Sequence, residues 1–276
     1  MQIFGIIGKK ITTRGVIHLA FLLSSISVAE SQATTVFDHS HEAWNKIVKD
    51  YVVVQGPQSF VNYKALKKEP DSLKKYLNSI ERVSKKDFQI FNNKQKLAFL
   101  INAYNAFTIK LILDHYPVKS IKDIGGFFSS PWKKRFFTFF GEKTHLDHIE
   151  HDLIRKQFNE PRIHFALVCA SKGCPPLMNE AFIALKLDDQ LERAAKTFLN
   201  DPQRNYFDSS SNTLYLSNIF KWYGEDFKKY GSVRSFVSSI IGKSEAEKKK
   251  IQNEKVKNSY LDYDWTLNEP PVSKEL

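Results

Sequence analysis

The chain has 276 residues, of which 42% are hydrophobic, 13% aromatic and 26% charged. With only 11 glycines and 10 prolines, that balance excludes a fibrous or disordered chain, and 22 phenylalanines and 11 tyrosines supply a large core. The formal charge is +11, and the chain has two cysteines, Cys169 and Cys174, separated by four residues.

The first 29 residues read as a secretory leader. Lys9, Lys10 and Arg14 precede an apolar run over 15–28, and small residues follow that suit cleavage after Ala29 or Ala33. The run is short of the about 20 residues a spanning helix needs, and no cysteine stands near it for a lipid anchor. The expectation is export to the periplasm or beyond, with one mature domain over 30–276 and its core at about 41–268. Without the leader's three cations the chain stays basic. In the cytoplasm that would suggest nucleic acid; outside it no nucleic-acid partner is expected, and anionic envelope polymers or lipid headgroups are the attraction. Spread lysines serve solubility equally well. No cofactor and no oligomeric state are indicated.

Trp44, Ile47, Val48 and Tyr51 recur at helical spacing, as do Leu73, Tyr76, Leu77 and Ile80, with Asp71 placed to cap the second helix. The longest helical stretch is Lys94 to Tyr116, closed by Pro117 and interrupted by Asn102, Asn105 and Lys110; it reads as a central core helix. After a Gly- and Ser-rich loop, residues 135–140 and 143–146 read as a hairpin around Gly141. Residues 147–157 read as a helix, 162–169 as a strand buried on both faces, and 188–199 as a helix. A second hairpin pairs 205–208 with 213–216, helices follow near 218–230 and 233–240, and 260–265 reads as a last strand. No repeat divides the chain. The fold class is helix-rich α+β, a single domain with a small mixed or antiparallel sheet.

Three segments carry the candidate chemistry. In His164 to Cys174, the strand delivers His164 and Cys169, and a turn at Gly173 presents Cys174 before Pro175. A thiol at a helix start is favoured as thiolate by the helix dipole, and Lys172 acts in the same sense. The competing reading is a Cys169–Cys174 disulfide bracing the turn, as oxidising compartments favour. Thiol–disulfide exchange is disfavoured by a CxxxxC spacing rather than CxxC. In the second segment, Asp147, His151 and Arg155 share a helical stripe with Glu150 beside it, either as a carboxylate that orients a basic imidazole or as a salt-bridged surface. His145, His148 and His151 at steps of three match no metal-binding pattern, so no metal site is assigned. In the third, the Asn102 and Asn105 amides lie on an apolar helix and need partners. They read either as a clamp on neighbouring loops or as donors that position a substrate carbonyl.

Taken together, NAYNA (102–106), IEHDLIR (149–155), PRIHFALVCASKGCPPL (161–177), LSNIFKWYGEDF (216–227) and YDWTLN (263–268) resemble the domain-of-unknown-function 547 family, in order and from about Phe60 to Asn268. The resemblance implies no activity. It implies a set of positions: Asn102, Tyr104, Asn105, Glu150, His151, Arg155, Arg162, His164, Cys169, Ser171, Cys174, Pro175, Trp222, Tyr223, Asp226 and Phe227. This chain departs from the family at Asn62, where Asp often precedes the tyrosine, and at Val168, where the family has Asn before its first cysteine.

Two functional expectations follow. One is an exported binding or structural module braced by the cysteine loop. The other is a thiol-dependent hydrolase or acyltransferase, with Cys174 as nucleophile, His164 or His151 as base and Glu150 as orienter. In either case Asn102, Tyr104, Asn105, Arg155, Arg162 and Ser171 are the candidate binding or positioning residues.

Overall fold

The Asn92 side chain accepts from the Gln95 backbone N–H while Gln95 reaches back to the Asn92 N–H. This capping box starts α5 (Asn93–His115), the helix around which the rest of a computed structural model is built. The structure describes residues 37–126 and 129–271, so the expected leader lies outside the described residues. At its far end α5 stops before Tyr116-Pro117, because the residue preceding a proline is pushed out of helical geometry. It is long and apolar enough to cross a membrane, yet 83% of its most apolar window is buried inside the protein. A helix apolar on every face belongs in a core.

Around it stand α1 (Glu42–Tyr51), a hairpin of β1 (Val52–Gln55) and β2 (Gln58–Val61), α2 (Tyr63–Lys68), α3 (Asp71–Glu81) and α4 (Lys85–Ile90). Leu73, Tyr76, Leu77 and Ile80 bury one stripe of α3. Asp71 is the first residue of that helix rather than its cap. The Phe107 and Phe137 rings stack with centroids 3.8 Å apart, holding the hairpin of β3 (Phe137–Phe139) and β4 (Glu142–Thr144) against α5.

A second cluster gathers Phe165, Phe198, Phe220, Phe227 and Phe236. It lies between α6 (Leu187–Leu199), α7 (Ile219–Tyr223), α8 (Val233–Ile241), α9 (Glu245–Gln252) and a three-stranded sheet of β5 (Tyr206–Asp208), β6 (Thr213–Ser217) and β7 (Lys257–Leu261). β5 and β6 are antiparallel, and β6 and β7 are parallel. With its small separate sheets among helices, the domain is helix-rich α+β.

Three local expectations are corrected. Residues 162–169 form no strand: Pro161–Phe165 is a 3-10 helix followed by irregular chain. Pro161 fixes the first helical φ and Glu160 accepts the Arg162 N–H, which together start a turn. No helix begins after Cys174: residues 175–178 are irregular, and Pro176 disfavours helical geometry at Pro175, so no helix dipole acts on that sulfur. The last strand sits earlier than 260–265, at β7, and 262–265 is irregular.

Candidate functional site

The α5 asparagines decide where the site loops lie. Asn105 donates from Nδ2 to the Ala166 carbonyl and accepts the Val168 N–H at Oδ1, both at 2.9 Å. Asn102 does the same for Phe182, at 2.7 and 3.0 Å. Each amide replaces the sheet or helix partners that these buried irregular segments lack. Both side chains are clamps, and neither is among the residues lining the cavity described next.

Between the Cys169–Cys174 loop, the turn carrying Glu150 and α7 lies a hollow of about 280 Å³. Trp132, Trp222, Tyr263 and Trp265 form one wall, with centroids 4.6 to 5.8 Å apart between touching pairs. Tyr104 and Tyr223 form another, and Asp147, Glu150, His151, His164, Cys169 and Cys174 also face the space. Among the described residues, no lysine or arginine does. In a chain of net charge +11, the hollow is locally aromatic and acidic.

The carboxylates and imidazoles form a connected network. His148–Ile154 is a π-helix, with the Arg155 N–H bonded to the Glu150 carbonyl at 2.9 Å; such wide turns recur at functional sites. Glu150 is only 6% exposed, and Tyr104 and Tyr223 line the same hollow close enough for its charge to act on their hydroxyls. Burial first, and then that carboxylate, push both phenols well above their ordinary range. Arg155 clamps Asp226 through Nε and Nη2 at 2.7 and 2.8 Å and donates from Nη1 to His151 Nδ1 at 3.1 Å. The other His151 nitrogen, Nε2, lies 3.9 Å from Asp147. His164 Nε2 meets Asp226 at 2.7 Å while its ring stacks on Tyr223, with centroids 4.0 Å apart. Burial works to raise the Asp226 pKa, but the bonds from His164 and Arg155 outweigh it and hold the carboxyl well below the usual range. At Asp147 burial wins, and its pKa is raised despite His151.

The cysteine loop is zipped to the segment that bears the aromatic wall. Lys172 N–H donates to the Thr266 carbonyl, Gly173 N–H to Asp264, and Asn268 N–H to Ala170, at 2.8 to 3.1 Å. Tyr263 packs across Gly173: a Cβ added there would stand 2.9 Å from the ring and 3.0 Å from the Asp264 nitrogen. Glycine is required by that close approach. Cys169 and Cys174 lie at disulfide-bonding distance, their Cα atoms 6.3 Å apart, within the ordinary range for a cystine. Ala170 between them sits at φ 59°, a left-handed conformation that costs a residue with a Cβ about 1–2 kcal/mol.

Of the residues expected from sequence, Glu150, His151, His164, Cys169, Cys174 and Tyr104 share the hollow. Ser171 sits behind it, with Oγ 3.4 Å from the Cys174 sulfur, and Arg155 braces it through Asp226. Arg162 is elsewhere, paired with Glu160, Asp188 and Glu192. Motif reading missed the walls contributed by Trp132, Tyr263 and Trp265. The signal available was Tyr263-x-Trp265 in the YDWTLN segment, which the strand assignment absorbed. Among the described residues no group of three His, Cys, Asp or Glu side chains is arranged to hold a metal ion.

Fold and site together define a single-domain, helix-rich α+β protein with an acid- and aromatic-lined hollow closed on one side by the Cys169–Cys174 loop. Residues 88–199 match the family described as "Protein of unknown function, DUF547", and the chain resembles that family over α5, the Glu150 turn and the cysteine loop. No curated protein and no solved structure matches the chain.

Proposed function

We propose that this is an exported ligand-binding domain whose hollow takes a compact organic cation with an apolar body. Four indole and phenol rings on one wall, two carboxylates within reach and, among the described residues, no lining lysine or arginine carry the reading. Ring faces attract cations, most strongly where water is excluded, and a buried carboxylate adds Coulombic attraction. Cations already sit on rings that line the hollow: Lys122 Nζ lies 3.8 Å from the Trp265 ring centroid, and the Arg155 guanidinium 5.1 Å from that of Tyr223. The hollow is near the lower end of small-molecule sites, which start at about 300 Å³. Export rests on the order of charge, apolar run and small residues in 1–33. Intact mass of protein from its native compartment should place the first residue at Glu30 or Thr34.

The test is a titration followed by tryptophan fluorescence with choline and its neutral isostere 3,3-dimethylbutan-1-ol. Choline should bind saturably and at least tenfold more tightly. Equal affinity for the two, or no binding by either, would contradict the proposal.

A second reading, thiol-dependent acyl transfer, draws on the same walls, because Cys174, His151 and His164 all face the hollow. It requires the cystine to be open. Free-thiol titration that finds a quantitative disulfide, in a protein that reductants leave inactive toward thioesters, removes it.

A further inference from the structure

The Cys169–Cys174 pair is surrounded by more hydrogen-bond donors than a brace requires. Three converge on the Cys174 sulfur: the Cys169 backbone N–H at 2.9 Å, the Tyr263 hydroxyl at 3.1 Å and the Ser171 hydroxyl at 3.4 Å. The Tyr263 oxygen also lies 3.3 Å from the Cys169 sulfur, and Ser171 Oγ 3.2 Å from it. A disulfide sulfur is a weak acceptor, whereas a thiolate is a strong one, so these donors gain most when Cys174 carries a negative charge. Exposure is divided between the two cysteines. Cys174 is only 4% exposed, whereas Cys169 is partly exposed, and both line the hollow.

We propose that the cystine is a thiol–disulfide exchange site, with Cys169 the sulfur that is attacked and Cys174 the thiolate that leaves. An incoming thiolate entering the hollow attacks Cys169 Sγ. A new S–S bond forms there, the Cys169–Cys174 bond breaks, and its electron pair goes to Cys174 Sγ, where three donors receive it. A second thiolate, from the same dithiol or another thiol, then attacks the incoming group's sulfur and expels Cys169. Two thiols are oxidised to one disulfide and the cystine is reduced by two electrons. Of the two protons the thiols give up, one goes to Cys169 and the other to solvent. A leaving sulfur of low pKa departs faster, and a stabilised thiolate makes the oxidised pair a stronger oxidant. The CxxxxC spacing leaves room for a donor that a shorter loop would exclude: the turn lies along 263–268, and that places the Tyr263 hydroxyl between the two sulfurs.

This inference concerns the cystine and stands or falls apart from the choline reading. The test has two arms. In the first, ultraviolet thiolate absorbance is followed against pH in fully reduced protein, in Cys169→Ser, and in Tyr263→Phe and Ser171→Ala made in that background. Cys174 should ionise below the ordinary thiol value of about 8.5, and Tyr263→Phe should raise it by at least one unit, a tenfold loss of thiolate at a given pH. In the second, oxidised wild-type protein is treated with reduced glutathione, quenched with acid before the mixed disulfide resolves, and mapped by peptide mass; the trapped glutathione should sit on Cys169 at least tenfold more often than on Cys174. A thiolate pKa at or above about 8.5 that Tyr263→Phe leaves unmoved, capture of glutathione by Cys174 in preference to Cys169, or a wild-type cystine that dithiothreitol does not open would each overturn the proposal.

Discussion

Replacing Asn105 with leucine separates a clamp from a ligand donor. The side chain is 2% exposed, and its partners Ala166 and Val168 are 1% and 3% exposed. Water has little access to whatever the substitution leaves unpaired. Leucine is close in size but makes neither bond, so the Ala166 carbonyl and the Val168 N–H are both orphaned. Each orphan costs roughly 1–3 kcal/mol, and the added apolar burial returns about 1–2 kcal/mol. Two orphans together cost about 2–6 kcal/mol, so the net loss centres on about 2.5 kcal/mol from a domain expected to hold about 5–15 kcal/mol. Guanidinium unfolding of wild type and Asn105→Leu, fitted for midpoint and slope, measures it directly. Asn102→Leu should behave alike, since its amide makes the same pair of bonds to Phe182. A loss below about 0.5 kcal/mol, small against the orphaning cost, together with abolished choline binding would refute the clamp and return Asn105 to the role of donor.

Three further outcomes are expected. Gly173→Ala pushes a methyl group against the Tyr263 ring and the Asp264 nitrogen; it should cost about 1–3 kcal/mol in thermal unfolding and weaken choline binding, and neutrality in both would contradict the packing described. Trp222→Ala removes a wall residue that is 46% exposed, so calorimetry should show at least a tenfold weaker choline complex with little change in Tm. Burial pushes the His41 imidazole down to about 3 from its ordinary 6.5, with its Nδ1 held at 2.7 Å by the Tyr76 hydroxyl. Its stabilisation is therefore complete above about pH 6.5 and declines as pH falls toward 3, so Tm followed over that window should fall in wild type and fall less in His41→Gln.

Helix-forming residues were readable because burial imposes a period on them: Leu73, Tyr76, Leu77 and Ile80 announce α3, and the long, mostly apolar stretch from Lys94 closed by Pro117 announces α5, whose cap at Asn92 the sequence reading did not use. The hairpin around Gly141 was readable from its turn, and Gly141 indeed sits at φ 84°. The segment 162–169 misled because a buried strand and a buried irregular chain share one apolar composition. What distinguishes them is where the backbone finds its hydrogen bonds. Here two partners come from Asn105, some sixty positions away in the chain, and no local pattern encodes that. The site divides in the same way. Glu150, His151, His164 and the cysteines stand in polar or special surroundings that draw notice. Trp132 and Trp265 look like ordinary core residues until the 263–268 segment is laid against the cysteine loop. The π-helix was invisible too, because Asp147, His151 and Arg155 keep their four-residue spacing in either kind of turn.

The central claim is that choline-like cations enter the hollow between the cystine loop and the Glu150 turn. The chain has four tryptophans, and the structure sorts them: Trp132, Trp222 and Trp265 line the hollow, while Trp44 is buried in α1 against Tyr76. Following the four indole N–H signals by nitrogen-15 NMR as choline is added tests the claim directly. The three wall indoles should shift together along one saturable curve while Trp44 stays still. Movement of Trp44 alone, or no shift in any of the four at saturating choline, would contradict the account.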